Sequence, residues 1–197
     1  ATSVSYNNFG KFEYTNMADK AAKYKGFTGD DITAIPAFVN YSEGIYVGYK
    51  FYETAAAEGA IDYDSMVAFP FGYGLSYTSF EQKLNDVTYK DGKVTVDVTV
   101  TNTGDKAGKD VVEVYYNPPY TNGGIEKASA NLVAFEKTDL LDPGASATVS
   151  IKFDDDDMAS YDSKNAKAYV LEQGDYGISV RSDSHTTIAE KTITVKD

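Results

Sequence analysis

Beyond residue 80, apolar and polar residues alternate in short runs that are separated by turn residues. The clearest run, residues 94–100, has valine at every second position, which is typical of a strand with one buried face. Asp91 and Gly92 precede this run and predict a hairpin turn. Comparable runs cover residues 112–116, 132–140, 147–153, 169–172, 176–180 and 193–195. About seven short strands between turns predict a mainly β fold, an antiparallel β-sandwich of immunoglobulin type.

The first 80 residues have a different pattern, because they are rich in aromatic residues. They contain ten of the 17 Tyr and eight of the 10 Phe residues. The sequence predicts a short helix over residues 16–24, with Asn16 as its cap, and a strand or extended arm over residues 38–52. Residues 55–59 are interpreted as a loop or a stub of helix. We therefore divide the chain into an aromatic-rich extension, residues 1–66, and a β-sandwich domain, residues 67–197.

Composition and charge narrow the classes of function. Lys and Arg number 18 and Asp and Glu number 30, so the net charge is −12 at pH 7, which repels phosphate backbones and anionic lipid surfaces. We therefore expect neither nucleic acid nor membrane as a partner. Cysteine is absent, which excludes disulfides and thiolate chemistry but leaves cytoplasmic and secreted locations both open.

Two segments carry a longer and more specific pattern. Residues 43–52 read EGIYVGYKFY, and residues 69–80 read FPFGYGLSYTSF. This ordered pair resembles a signature of glycoside hydrolase family 3, the β-glucosidase-type enzymes, in which it leads into a fibronectin type III-like domain. The similarity covers about residues 39 to 183, with Lys50 where an Arg is usual and Ala134 where a Gly is usual. It implies a fibronectin type III-like sandwich preceded by the end of an α/β sandwich domain.

The resemblance also implies where the chemistry of such an enzyme lies. Retaining glycosidases use two carboxyl groups about 5 to 5.5 Å apart. In this family the nucleophilic Asp lies in a Ser-Asp-Trp-like motif on a barrel, and the acid/base Glu lies upstream of the segments seen here. Neither motif is present in this sequence, and Asp183 between two serines is only superficially similar to the first. We therefore predict no catalytic residue in this chain and no hydrolase activity of the chain alone.

No cofactor and no metal site is expected from the sequence. The acidic run Asp154–Asp157 offers hard oxygen ligands. Consecutive side chains cannot all converge on one ion, however, and no EF-hand spacing follows. We interpret this run as a solvated loop.

The candidate contact residues all lie in the two signature segments. Their rings would either stack on sugars or pack at an interface between domains. The interface is favoured, because the spacing uses both faces of an extended strand, whereas a linear sugar platform would use one. The candidates for contact with substrate or with another domain are Glu43, Tyr46, Tyr49, Lys50, Tyr52, Phe71, Tyr73 and Tyr77.

Taken together, these patterns predict the non-catalytic C-terminal segment of a β-glucosidase-like hydrolase, which supports and positions the catalytic domains. Its partners would be those domains, and carbohydrate would be bound only through them. The alternative is a carbohydrate-binding or surface-adhesion module. Because residues 1–66 contain more rings than they can bury among themselves, we also expect a homodimer in which this extension is exchanged between two copies.

Overall fold

The computed structural model describes residues 13–16, 22–25, 31–34, 37–40 and 43–196. The chain divides into two compact units, an N-terminal unit at Ser3–Val47 and a main unit at Gly48–Asp197. The main unit contains the β-sandwich together with a short helical segment that precedes it.

The N-terminal unit contains two antiparallel strand pairs. β1 pairs with β4, and β2 pairs with β3. The four strands are β1 Glu13–Asn16, β2 Ala22–Lys25, β3 Asp31–Ala34 and β4 Ala37–Asn40.

The predicted helix over residues 16–24 is wrong. Asn16 ends β1 instead of capping a helix, and Tyr24 lies in β2 opposite Ile32. An isolated helix shorter than about 12 residues is marginal in water, whereas pairing with β3 gives the backbone of β2 the hydrogen bonds of an antiparallel ladder. The remaining predicted positions, residues 17–21, lie outside the described residues.

Two short helices begin the main unit, α1 at Tyr49–Ala57 and α2 at Tyr63–Met66. The expected strand or extended arm is therefore correct over β4 but wrong at its end, because the chain turns at Gly48, with φ of 61°, and enters α1. Tyr52 and Glu53 are buried on α1. Among the described residues, no helix is long and apolar enough to cross a bilayer.

The rest of the main unit is an antiparallel β-sandwich, which confirms the predicted fold class. Its strands are β5 Phe80–Lys90, β6 Lys93–Asn102, β7 Val111–Asn117, β8 Asn131–Lys137, β9 Ser146–Asp154, β10 Ser160–Asp162, β11 Ala168–Val170, β12 Gly174–Arg181 and β13 Thr187–Val195. One sheet has the order β5-β6-β9 and the other has the order β13-β12-β7-β8, while β10 and β11 form a separate hairpin.

The core lies between the two sheets and follows the predicted alternation. The valines of β6 at positions 94, 96, 98 and 100 are all fully buried. They pack with buried residues of the facing sheet, including Val112, Val114, Ile178 and Val180. Burial of each such side chain contributes about 1.5 to 3 kcal/mol, so this strand is a major source of the stability of the sandwich.

The turn before β6 has the predicted hairpin geometry. Asp91 and Gly92 both have positive φ, at 52° and 74°, and Lys90 pairs with Lys93 across them. Positive φ at both central residues is the requirement of a type I′ turn. This turn fixes the register of β5 against β6.

The acidic run forms one turn of 3-10 helix, Asp155–Met158, where a solvated loop was expected. Asp155 accepts a hydrogen bond from the Tyr89 hydroxyl at 2.6 Å. This bond, with a smaller effect of burial, raises the pKa of Tyr89 to about 12. Within the described residues, no group of three or more His, Cys, Asp or Glu side chains is arranged to hold a metal ion.

The register of β6 gives a direct test of the core. Val98→Asp places an unpaired charge between the sheets and should lower the free energy of unfolding by about 3 kcal/mol, a fall in the thermal midpoint of about 10 °C. Thr95→Asp, on the outer face opposite Lys152, should change the midpoint little. Thermal unfolding followed by circular dichroism measures both, and equal shifts for the two variants would show that the register is wrong.

Candidate functional site

A buried carboxylate joins α1 to the sandwich. Glu53 is only 6% exposed, and its Oε1 accepts hydrogen bonds from the Tyr63 hydroxyl at 2.7 Å and from Ser184 Oγ at 2.9 Å. Its Oε2 lies 2.9 Å from His185 Nδ1. A buried charge is costly unless donors surround it. These four residues, the Glu53 network, therefore hold both helices against the loop that follows β12.

The loop that supplies two of these donors, residues 182–186, is itself held in a tight turn. Asp183 Oδ1 accepts the backbone N–H groups of His185 at 2.9 Å and of Thr186 at 2.7 Å. The Tyr63 ring stacks on the His185 ring, with centroids 3.6 Å apart and planes 8° apart. Asp183, the residue that is superficially similar to a nucleophile motif, thus stabilises the turn that presents Ser184 and His185 to Glu53.

Tyr49 makes a second connection, at the beginning of α1. Its hydroxyl accepts the backbone N–H of Leu132 at 2.9 Å. Its ring stacks on Phe71, with centroids 4.9 Å apart, and meets the edge of Tyr115 at 6.1 Å. Burial raises the pKa of Tyr49, as expected for a phenol enclosed by rings. Tyr49 therefore fixes α1 to β8 and to the second signature segment at once.

Thr54 connects α1 to the segment before β8. Thr54 Oγ1 donates to the Lys50 carbonyl at 2.7 Å and accepts the backbone N–H of Ser129 at 3.0 Å. Tyr49, Glu53 and Thr54 of α1 thus contact separate parts of the sandwich. A nine-residue helix that is marginal alone is held by these tertiary contacts.

Arg181 lies at the end of β12, beside the Glu53 network, and is 6% exposed. Its Nε donates to Ser179 Oγ at 2.9 Å, Nη1 donates to the Ser184 carbonyl at 2.7 Å, and Nη2 donates to Asn117 Oδ1 at 3.0 Å. The guanidinium lies 5.3 Å from the centroid of the Tyr115 ring. The bond from Nη1 to the Ser184 carbonyl supports the loop that carries Ser184.

Tyr115 also forms a polar pair with Glu113. The Tyr115 hydroxyl donates to Glu113 Oε2 at 2.7 Å. Burial is the main reason why the pKa of both groups is raised. A Cβ added at Gly72 would lie only 2.6 Å from Glu113 Oε2, and Gly72 has φ of 89°. The glycine of the second signature segment therefore allows the chain to pass close to the sandwich.

The segment around this glycine, residues 67–79, is called the aromatic loop. Its base is fixed, because the carbonyl of Phe71 accepts the N–H of Ser184 at 2.7 Å and its ring stacks on Tyr49. Its tip is open: Leu75 is 90% exposed and Tyr77 is 99% exposed. The loop thus presents exposed apolar side chains next to a base that is bonded to the sandwich.

The structure separates the predicted contact residues into four groups. Tyr49 and Tyr52 are turned into the main unit, with Tyr52 5% exposed. Phe71, Tyr73 and Tyr77 are exposed on the aromatic loop. Glu43 and Tyr46 belong to the N-terminal unit. Lys50 is half-buried on α1, where burial lowers its pKa.

The residues of the site that were missed in the sequence include Glu53, Tyr63, Arg181, Ser184 and His185. A signal for the first was present, since Tyr49, Tyr52 and Glu53 have the i, i+3, i+4 spacing of a helix face. Ser184 and His185 meet Glu53 only through the fold, because they lie 131 and 132 positions from it.

Comparison with known proteins agrees with the resemblance found in the sequence. Residues 110–184 match the family model of the fibronectin type III-like domain. The β-glucosidase of Kluyveromyces marxianus is 37% identical over 171 residues, which is 82% of this chain and 19% of that protein. A β-glucosidase of Ruminococcus albus is 40% identical over 165 residues, 78% of this chain and 16% of that protein.

Solved structures give the same result. β-Glucosidase 3B of Thermotoga neapolitana, in complex with α-D-glucose, superposes with a TM-score of 0.69 at 39% identity, over 81% of this chain and 20% of that one. The K. marxianus enzyme in complex with glucose gives a TM-score of 0.70 at 38% identity, over 81% and 18%. The chain thus spans about a fifth of the length of the relatives that it matches.

The Glu53 network predicts a specific pH dependence. Burial and, to a smaller extent, the hydrogen bond to Glu53 raise the pKa of Tyr63. Its pKa therefore lies above the value of about 10 of an unfolded tyrosine. The contribution of this hydroxyl to stability is therefore complete below about pH 10 and is lost as the pH rises further. We expect the difference in thermal midpoint between the wild type and Tyr63→Phe to be constant near neutrality and to shrink above about pH 10.

The matched control for this measurement is Tyr77→Phe, which removes a hydroxyl from a side chain that is 99% exposed. It should leave the thermal midpoint at neutral pH unchanged. A Tyr63→Phe difference that stays constant, or grows, at alkaline pH would contradict the burial of this phenol against Glu53.

Proposed function

Because this chain corresponds to the C-terminal region of glycoside hydrolase family 3 β-glucosidases, with its fibronectin type III-like domain, we propose that it is a non-catalytic part of such an enzyme. Its role is to support and position the catalytic domains during hydrolysis of O-glycosidic bonds. In this proposal residues 1–66 complete the domain that precedes the sandwich, and residues 67–197 form the fibronectin type III-like domain. Its partners are the remaining domains of the hydrolase.

The observation that carries this proposal is the contrast between the base and the tip of the aromatic loop. The base is bonded to the sandwich at Ser184 and stacked on Tyr49, whereas Leu75 and Tyr77 at the tip make almost no contact. Large apolar side chains held rigidly in solvent are typical of a surface that another protein domain covers. We propose that this domain is the catalytic part of the hydrolase.

Two acidic residues of the joint between the helices and the sandwich are engaged in structural bonds. Glu53 accepts bonds from Tyr63 and Ser184 and pairs with His185, and Asp183 accepts two backbone N–H groups. A glycosidase nucleophile or acid must instead face the substrate. We therefore assign both carboxylates to the joint between the helices and the sandwich.

The second candidate function is a carbohydrate-binding module. The exposure of the Tyr73 and Tyr77 rings, at 48% and 99%, favours it, because exposed tyrosine faces can stack on sugar rings. We also propose a homodimer in which residues 1–66 are exchanged between two copies.

A chimera tests the supporting role. This chain would replace the matching C-terminal region of the K. marxianus β-glucosidase, to which it is 38% identical. We expect the chimera to hydrolyse aryl β-glucosides. In the chimera, Leu75→Ser combined with Tyr77→Ser should lower activity and the thermal midpoint, since both side chains would be buried at the new contact. The same pair of substitutions should leave the midpoint of the isolated chain unchanged.

Tyr169→Ser is the control, because Tyr169 is 74% exposed on β11 and outside the aromatic loop. Equal effects of the control and of the loop variant in the chimera would contradict the supporting role. Retardation of the isolated chain in a gel containing soluble β-glucan, abolished by Tyr73→Ser with Tyr77→Ser, would favour the carbohydrate-binding module instead.

A further inference from the structure

A second feature of the main unit is a cleft beside the Glu53 network. This cleft of about 270 Å³, here called the Arg181 cleft, is lined by Arg181, Asn117, Ser129, His185, Glu53 and the alanines at the end of α1. Its volume is just below the range of about 300 to 1,000 Å³ that is usual for sites of drug-sized ligands. The cleft therefore has room for one small molecule of the size of a monosaccharide.

The charge of Arg181 is unusual for a buried side chain. The described residues contain one other buried basic side chain, Lys127, and that ammonium pairs with Glu172 at 2.6 Å. Arg181 is as deeply buried, yet its hydrogen bonds go to a hydroxyl, a carbonyl and an amide oxygen, and no ion pair joins it to a carboxylate in the described part of the chain. A buried cation is stabilised by an anionic partner.

The hydrogen-bond donors of Arg181 also favour an anionic ligand. A guanidinium has five N–H groups, and three are used in the bonds to Ser179, Ser184 and Asn117. One N–H on each terminal nitrogen is left for a ligand. Asn117 uses its Oδ1 to accept from Arg181, so its amide N–H₂ is also a donor. Donors thus outnumber acceptors on this side of the cleft.

Glu53 also lines the cleft, but among the described residues it forms no direct ion pair with Arg181. The two oxygens of Glu53 are engaged with Tyr63, Ser184 and His185. The lining also includes the small side chains of Ala56, Ala57 and Ser129. The cleft therefore combines a cation with side chains that leave space for a ligand.

From this arrangement we infer that the Arg181 cleft binds a small organic acid, whose carboxylate pairs with Arg181 and whose remaining polar groups face Asn117, Ser129 and His185. A carboxylate suits the guanidinium because it accepts two charge-assisted hydrogen bonds. This site is independent of the proposed supporting role, since it involves neither the tip of the aromatic loop nor a second domain.

Glucuronate and glucose form a matched pair of probes, because they differ only in a carboxylate at the position of a hydroxymethyl group. The whole chain, labelled with ¹⁵N, is titrated with each sugar at constant ionic strength. We expect glucuronate to cause saturable shifts of the Arg181 Nε–H signal and of the Asn117 and His185 amides. Glucose should bind about tenfold more weakly or not at all, because it lacks the charge-assisted bonds.

Two variants test the location. Arg181→Gln removes the cation and should weaken glucuronate binding by about tenfold or more. Ala56→Met leaves Arg181 in place and fills the cleft from α1, so it should weaken binding even if the first variant fails to fold. The inference is overturned if glucose binds as tightly as glucuronate, if glucuronate causes no saturable shift, or if Ala56→Met binds glucuronate as well as the wild type does.

Discussion

A buried carboxylate must be surrounded by donors, and the donors of Glu53 come from distant parts of the chain. Tyr63 lies ten positions away on α2, whereas Ser184 and His185 lie 131 and 132 positions away. Because a buried charge without them would be strongly destabilising, the helices and the loop after β12 are held in one arrangement. That arrangement places Ser184 where its N–H reaches the Phe71 carbonyl, and it thereby sets the base of the aromatic loop.

The stability of the joint and the exposure of the loop tip are therefore connected. Short helices supply little stability of their own, so α1 depends on Tyr49, Glu53 and Thr54 for its place on the sandwich. The aromatic loop then starts from a rigid support and extends Leu75 and Tyr77 into solvent. The bonded joint followed by an exposed apolar tip is the observation from which we propose that a neighbouring domain contacts this loop.

The sequence predicts most of the sandwich because most strands carry their own signal, although β5 and β10 were not among the predicted runs. The valines of residues 94–100 alternate with polar residues, and this local pattern decides which face is buried. The helix α1 was missed because tyrosine and phenylalanine favour strands, and this preference outweighed the helical spacing of Tyr49, Tyr52 and Glu53. Contacts of Glu53 with Ser184 and His185 depend on how the loop after β12 meets the helices, which no local pattern encodes.

Amide hydrogen exchange of the whole chain tests the role of the Glu53 network most directly. If Glu53 fixes α1 to the sandwich, the amides of residues 53–57 should exchange slowly, because they become accessible to solvent only when the main unit opens. Glu53→Gln should then speed their exchange while the amides of β6 stay protected. Rapid exchange of residues 53–57 in the wild type, or an unchanged rate in Glu53→Gln, would contradict the conclusion that this buried carboxylate holds the joint together.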